Sequence, residues 1–134
     1  MILSERALIL KKTELFGEAS LDKLAPLAEA LTERTLQDKE TVFPESGRDM
    51  NVVVLARGAV CRTDQGKSSS LSEGDCLGEL ALFDDTLPCP EAKADGEATI
   101  FVIDGSMARE FLVGEFSVAE NFIRSLVRKI RSAE

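Results

Sequence analysis

The chain has 134 residues, 44% of them apolar and 30% charged, which describes one globular domain with a substantial core and not a disordered segment. Its formal charge of -8, from 24 acidic and 16 basic residues, argues against a general nucleic-acid or anionic-membrane binder, whose affinity comes from clustered Lys and Arg. The absence of histidine removes His-based metal sites and His acid–base chemistry.

In chain order the pattern runs helix, strands, helix. MILSERALILKK carries charges at Glu5, Arg6, Lys11 and Lys12, too early for a targeting segment. It reads as a helix capped by Ser4, with Ala7, Leu8 and Leu10 inward. Glu14 to Gly17 marks a break. Ser20 caps a second helix, in which Leu21, Leu24, Ala25, Leu27, Ala28 and Leu31 repeat at helical spacing. Pro26 either kinks this helix or marks a later start.

From Thr32 the chain reads as short β segments: TERTLQ, then ETVF ended by Pro44 and Gly47, then NVVVLA and AVCRT parted at Arg57-Gly58, then KSSSLS. Beyond a long loop, AKAD and ATIFVID look like two strands meeting at an Asp95-Gly96 hairpin turn. Strands at roughly 8–12-residue spacing suggest a small barrel or jelly roll. Asp104 or Ser106 caps a following helix that Gly114 stops. The closing helix places Phe116, Ala119, Phe122, Ile123, Leu126 and Ile130 on one face and Arg124, Arg128 and Arg131 opposite. The only basic cluster, Arg124, Arg128, Lys129 and Arg131, reads as cations complementing a helix C-terminus. Nothing approaches the length of a transmembrane span. Cys61, Cys76 and Cys89 form no CxxC pair and read as reduced thiols of a cytoplasmic domain.

The most informative stretch is GDCLGELALFDDTLPCPEAKA, Gly74 to Ala94. Gly74 and Gly78 stand where a chain leaving a strand bends tightly, and GELALF can form a short helical turn with its first N–H groups outward. Leu80 and Leu82 are expected inward, and Glu79 offers a carboxylate that could accept a sugar hydroxyl.

At several separated points the sequence resembles the cyclic nucleotide-binding domain family, the β-roll of cAMP receptor protein and protein kinase A regulatory subunits. LKKTELFGEASLDKLAPLAEAL is similar to its opening, ETVFPESG to its first hairpin, and VVVLARGAV to its next strand pair. GDCLGELAL resembles its phosphate-binding cassette, and ATIFVID followed by a helix resembles its exit to the C-terminal lid. The resemblance implies a double-stranded β-helix or jelly-roll β-roll: a mainly β domain with flanking helices. It divides the chain into N-terminal helices over 1–31, a roll over 32–104 and two C-terminal helices over 105–134. It also implies that Gly78, Glu79, Leu80 and Ala81 cradle a cyclic phosphate and its sugar.

The family's cassette continues as P-R-[ST]-A-[TS]-V-x-A, where the Arg neutralises the phosphate. Here an ungapped continuation places Leu87 at the Pro, Pro88 at the Arg, Cys89 and Pro90 next, and Glu91 at the Ser/Thr. Sliding by one puts Cys89 at the Arg position; neither alignment supplies a cation. A charge-assisted hydrogen bond to phosphate contributes about 1.5–3 kcal/mol, so its loss costs roughly tenfold to a hundredfold in affinity. Arg62, Lys67 and Lys93 are candidate substitutes, with Lys93 nearest in sequence.

Three functions follow. The first is a regulatory module with a degenerate phosphate site, little or no affinity for cAMP or cGMP, no cofactor, and another domain or protein as partner. The second is a genuine cyclic-nucleotide or small-anion sensor with a substituted cation such as Lys93, covered by Phe116 and Phe122. The third, an enzyme, ranks last: Glu79, Asp84, Asp85 and Glu91 could gather a hard cation, but an acidic run in a loop is usually solvated. Direct DNA binding is not expected of the chain as given, which could be part of a larger protein, and the closing helix offers a surface for homodimerisation.

Overall fold

The computed structural model describes residues 1–43, 51–64, 66–84 and 91–133. Helices α1 (Leu3–Lys12) and α2 (Leu21–Ala30) open the chain, followed by strands β1 (Thr32–Leu36), β2 (Asn51–Asp64), β3 (Lys67–Leu71) and β4 (Cys76–Leu77). A short 3₁₀ turn (Glu79–Leu82) precedes β5 (Glu91–Asp104), and helices α3 (Gly105–Gly114) and α4 (Phe116–Ala133) close the chain. The antiparallel sheet has the order β1-β5-β2-β3, with β4 pairing to β2. This is a β-roll flanked by N- and C-terminal helices.

The unbroken apolar run NVVVLA arises because both faces of β2 are covered. Val52, Val54 and Ala56 join Phe101 and Ile103 under the helices, packed with Phe16, Leu24, Leu112 and Phe122. Val53, Leu55 and Val60 point to the other side, into the roll, with Leu36, Leu77, Ala94 and Ile100. Side-chain alternation in a strand thus feeds two cores from one segment.

The strand break expected at Arg57-Gly58 and the hairpin expected at Asp95-Gly96 are bends in continuous strands. β2 and β5 run side by side from Asn51↔Asp104 to Thr63↔Glu91, with register shifts at Leu55/Arg57 and Arg57/Ala59. Gly58 has φ 89°, and a Cβ there would lie 2.6 Å from the Glu97 carbonyl oxygen, so glycine permits the bulge. Gly96, at φ 79°, donates its N–H to Asp38 Oδ1 at 2.8 Å. ETVF makes an isolated bridge, Thr41↔Lys93, and not a full strand among the described residues. Pro44 and Gly47 lie outside those residues.

Helix ends follow local chemistry. Ser20 accepts from Lys23 N at 3.4 Å, and Asp104, in preference to Ser106, caps α3 by accepting from Met107 N at 3.2 Å. Ser4 does not cap α1, whose N-cap is Ile2; Ala7 and Leu10 are buried, while Leu8 faces solvent. Leu21 is likewise exposed at the start of α2. Pro26 sits inside α2, which begins directly after Ser20. At the break, Thr13 Oγ1 donates to Leu10 O at 2.6 Å and accepts from Phe16 N at 3.0 Å, turning the chain between the helices.

Candidate functional site

The turn that carries Glu79 is built from β2 outward. Gly74 N donates to Leu55 O at 2.8 Å, and Leu55 N donates to Asp75 O at 2.9 Å. Asp75 Oδ2 accepts from Ser72 N at 2.9 Å, which pins the loop that precedes β4. Cys76 and Leu77 pair with Val54 and Val53, so Leu77 enters the roll and Cys76 faces the helices. Gly78 then turns in the left-handed region, at φ 86° and ψ 0°. A Cβ there would lie 2.6 Å from the Asn51 carbonyl oxygen, so only glycine lets this turn lie against β2.

The turn from Glu79 to Leu82 separates its side chains. Leu82 is buried, whereas Leu80 is exposed, contrary to the expectation that both pack inward. A single 3₁₀ turn cannot bury both, because residues two apart fall on different faces. Ala81 is half-buried, and Glu79 points into a cavity of about 430 Å³ with its side chain 17% exposed.

The cavity lies between the roll, the end of α1 and α4. Glu14, Glu73, Asp75 and Glu79 bring carboxylates to it; Lys12, Arg62 and Lys129 bring cations; Leu15, Leu71 and Phe122 supply apolar wall. Lys129 Nζ lies 3.9 Å from Glu79 Oε1. Cys76 sits among these charges. Burial raises its thiol pKa well above the ordinary range, and the carboxylates of Glu79, Asp75 and Glu14 push the same way against Lys129. These surroundings disfavour the thiolate, the nucleophilic form.

The closing helices reach the turn through Phe83. Its ring meets Phe122 edge-on at 5.9 Å, and the Arg109 guanidinium stacks over it at 5.5 Å. A second, apolar hollow of about 390 Å³ opens beside this contact, lined by Phe83, Leu112, Val113, Ala119, Phe122, Ile123 and Leu126.

Strand alternation decides where the candidate cations point. Arg62 is opposite Ala92 and Val60 is opposite Ala94; Val60, Ala92 and Ala94 are all buried inside the roll. Arg62 therefore faces inward, into the cavity. Glu91 and Lys93 alternate with those alanines on the outer face and are exposed. Neither lines the cavity, so the nearest cation in sequence is turned away from the glutamate, and so is the carboxylate at the family's Ser/Thr position. The Arg62 side chain makes no ion pair or hydrogen bond among the described residues. Pro88 and Cys89, with Asp85, Leu87 and Pro90, lie outside the described residues.

For Lys129 the sequence predicts only a cation complementing a helix end; in the structure it also reaches the cavity. Its position follows from helical spacing, since Phe122, Ser125 and Lys129 share the face of α4 that lines the cavity. Phe122 lines the cavity, whereas Phe116 is 81% exposed and does not. Among the described residues no group of three or more Cys, Asp or Glu side chains could hold a metal ion, and no helix is long and apolar enough to cross a membrane.

No protein-family model matches the sequence, and no curated protein matches it either. Solved structures do match in shape. The sensor domain of the transcriptional regulator DNR from Pseudomonas aeruginosa superposes with a TM-score of 0.78 at 20% identity, covering 92% of this chain and 91% of that one. The cAMP-bound PfPKA-R gives a TM-score of 0.78 at 16% identity over 96% of this chain, which spans 46% of that chain's length. The regulatory subunit of a cAMP-independent protein kinase A from Trypanosoma cruzi, bound to guanosine, gives 0.72 at 19% identity, covering 81% of this chain and 40% of that one. The chain has the fold of a cyclic nucleotide-binding domain.

Proposed function

We propose that this chain is a regulatory module of the cyclic nucleotide-binding fold whose phosphate site is degenerate, with little or no affinity for cAMP or cGMP. One observation carries the reading. The turn around Gly78 is formed with Glu79 in the cavity, while residues 75–92 contain no Lys or Arg and Lys93 stands on the outer face of β5. The half of the site suited to a sugar hydroxyl is present, and the half suited to a phosphate is missing. Four carboxylates against three cations around the cavity further oppose an incoming anion.

Proteins with this fold are found both with cAMP bound and, in the cAMP-independent Trypanosoma cruzi subunit, with guanosine bound. A module of this kind acts by packing against, or coupling its closing helices to, another domain or protein. It is a binding element and not an enzyme, and neither nucleic acid nor membrane insertion is part of its action. Self-association through α4 is consistent with Phe116, Ile123, Val127 and Ile130, which are exposed at heptad-like spacing.

The second reading, a nucleotide or small-anion sensor, is favoured by Arg62 and not by Lys93. Arg62 is a permanent cation inside the cavity with no carboxylate partner among the described residues. Calorimetric titration of cAMP and cGMP into the wild type, Arg62→Ala and a Pro88→Arg/Glu91→Thr variant separates the two. The degenerate-site reading expects no wild-type binding in the micromolar range. Micromolar wild-type binding, weakened about tenfold or more by Arg62→Ala, would establish the sensor instead.

A further inference from the structure

The closing helix α4 is held to the body unevenly along its length. In its first half, Val118 and Phe122 are buried and Asn121 Nδ2 donates to Glu14 O at 2.7 Å. Past Phe122, only Ser125 and Leu126 are even half-buried, and residues 127–133 are exposed. Arg124 pairs with Glu120 within the helix, and Ser132 Oγ donates to Arg128 O, so neither ties the helix to anything else. Beyond the apolar contact of Leu126, the one polar side-chain tie among the described residues that reaches from this second half to the body is Lys129 to Glu79, at 3.9 Å.

We propose that this pair is a latch: the chain uses its own Lys129 as the partner of Glu79, and so closes α4 over the cavity with no ligand present. The inference rests on the degenerate-site reading in one respect, that Glu79 is left to an internal partner. Three features fit the role. Lys129 shares a helix face with Phe122 and Ser125, so closing α4 delivers all three to the cavity together. Glu79 is largely withdrawn from water, which reduces the screening of its charge, while Lys129 is 59% exposed, which keeps the tie weak enough to break. Lys12 and Arg62 line the same cavity without pairing to Glu79, so proximity to the cavity alone does not select the partner; the position of α4 does. The module is accordingly biased toward the closed state, and a competitor for either side chain shifts it toward the open one.

The test is amide hydrogen exchange over residues 123–133, without nucleotide, in wild type, Lys129→Glu, Glu79→Lys and the double charge-reversal variant. Lys129→Glu and Glu79→Lys should each speed exchange in that segment by about two- to fivefold, the range of a partly exposed ion pair, and leave β2 and β5 unchanged. The double variant should return toward wild type, and molar salt should move wild type toward the single variants. Unchanged exchange in both single variants, or no recovery in the double variant, would overturn the latch. Failure of the degenerate-site reading registers separately, as micromolar nucleotide binding in the calorimeter.

Discussion

At Gly78 the backbone reaches φ 86° with a carbonyl oxygen 2.6 Å from where a Cβ would sit, and the orientation of Glu79 depends on that turn. Gly78→Ala is therefore expected to destabilise the fold by about 1–3 kcal/mol, from left-handed strain and a backbone clash that no rotamer relieves. Gly96 provides the control. It has φ 79°, but a Cβ there would meet nothing within 4 Å, so Gly96→Ala carries the conformational cost alone, about 1 kcal/mol. Denaturant midpoints of the two variants check the difference, and equal losses would mean that Gly78 is only a turn residue. Residue-level chemistry also bears on Cys76: its half-buried thiol lies beside three carboxylates, conditions that disfavour the thiolate.

At the scale of elements, Pro26 is an exposed proline in the interior of α2. It lacks the N–H that would bond one turn back, and its removal leaves the buried Leu24, Leu27 and Ala28 in place. Pro26→Ala should stabilise the domain by about 1–3 kcal/mol, read by thermal or denaturant unfolding. A loss of stability would show that the ring itself packs or that α2 needs the break. Elements with a strong local signal are legible in the sequence: the Ser20 cap, the Glu14–Gly17 break, the Gly78 turn and the two closing helices. The long strands are not, because Gly58 and Asp95-Gly96 carry turn chemistry whether the chain folds back or only bends. The continuous β2·β5 register settles which, and it is a non-local fact. Of the cavity wall, the Gly78 turn and Glu79 are legible in the sequence. Lys129 is hidden because α4 carries two apolar stripes, and the one with the larger residues at 116, 123 and 130 faces solvent. The buried stripe, Val118 and Phe122 with Leu126 partly covered, is what turns Lys129 toward the cavity.

For the whole molecule, that solvent-facing stripe has a consequence. Phe116, Ile123, Val127 and Ile130 leave an apolar seam along α4 that a second α4 could cover by knobs-into-holes packing. Sedimentation at micromolar concentration should find a dimer that Ile123→Glu/Ile130→Glu converts to monomer; a wild-type monomer would contradict this use of the seam. The described residues otherwise form a cyclic nucleotide-binding fold with a cavity lined by Glu79, and residues 75–92 carry no Lys or Arg. The most direct measurement of that account is calorimetric titration of cAMP and cGMP into the wild-type chain beside the Pro88→Arg/Glu91→Thr variant. The account predicts no wild-type binding in the micromolar range and a gain of at least about tenfold in the variant. Wild-type binding at micromolar concentration or tighter would contradict it.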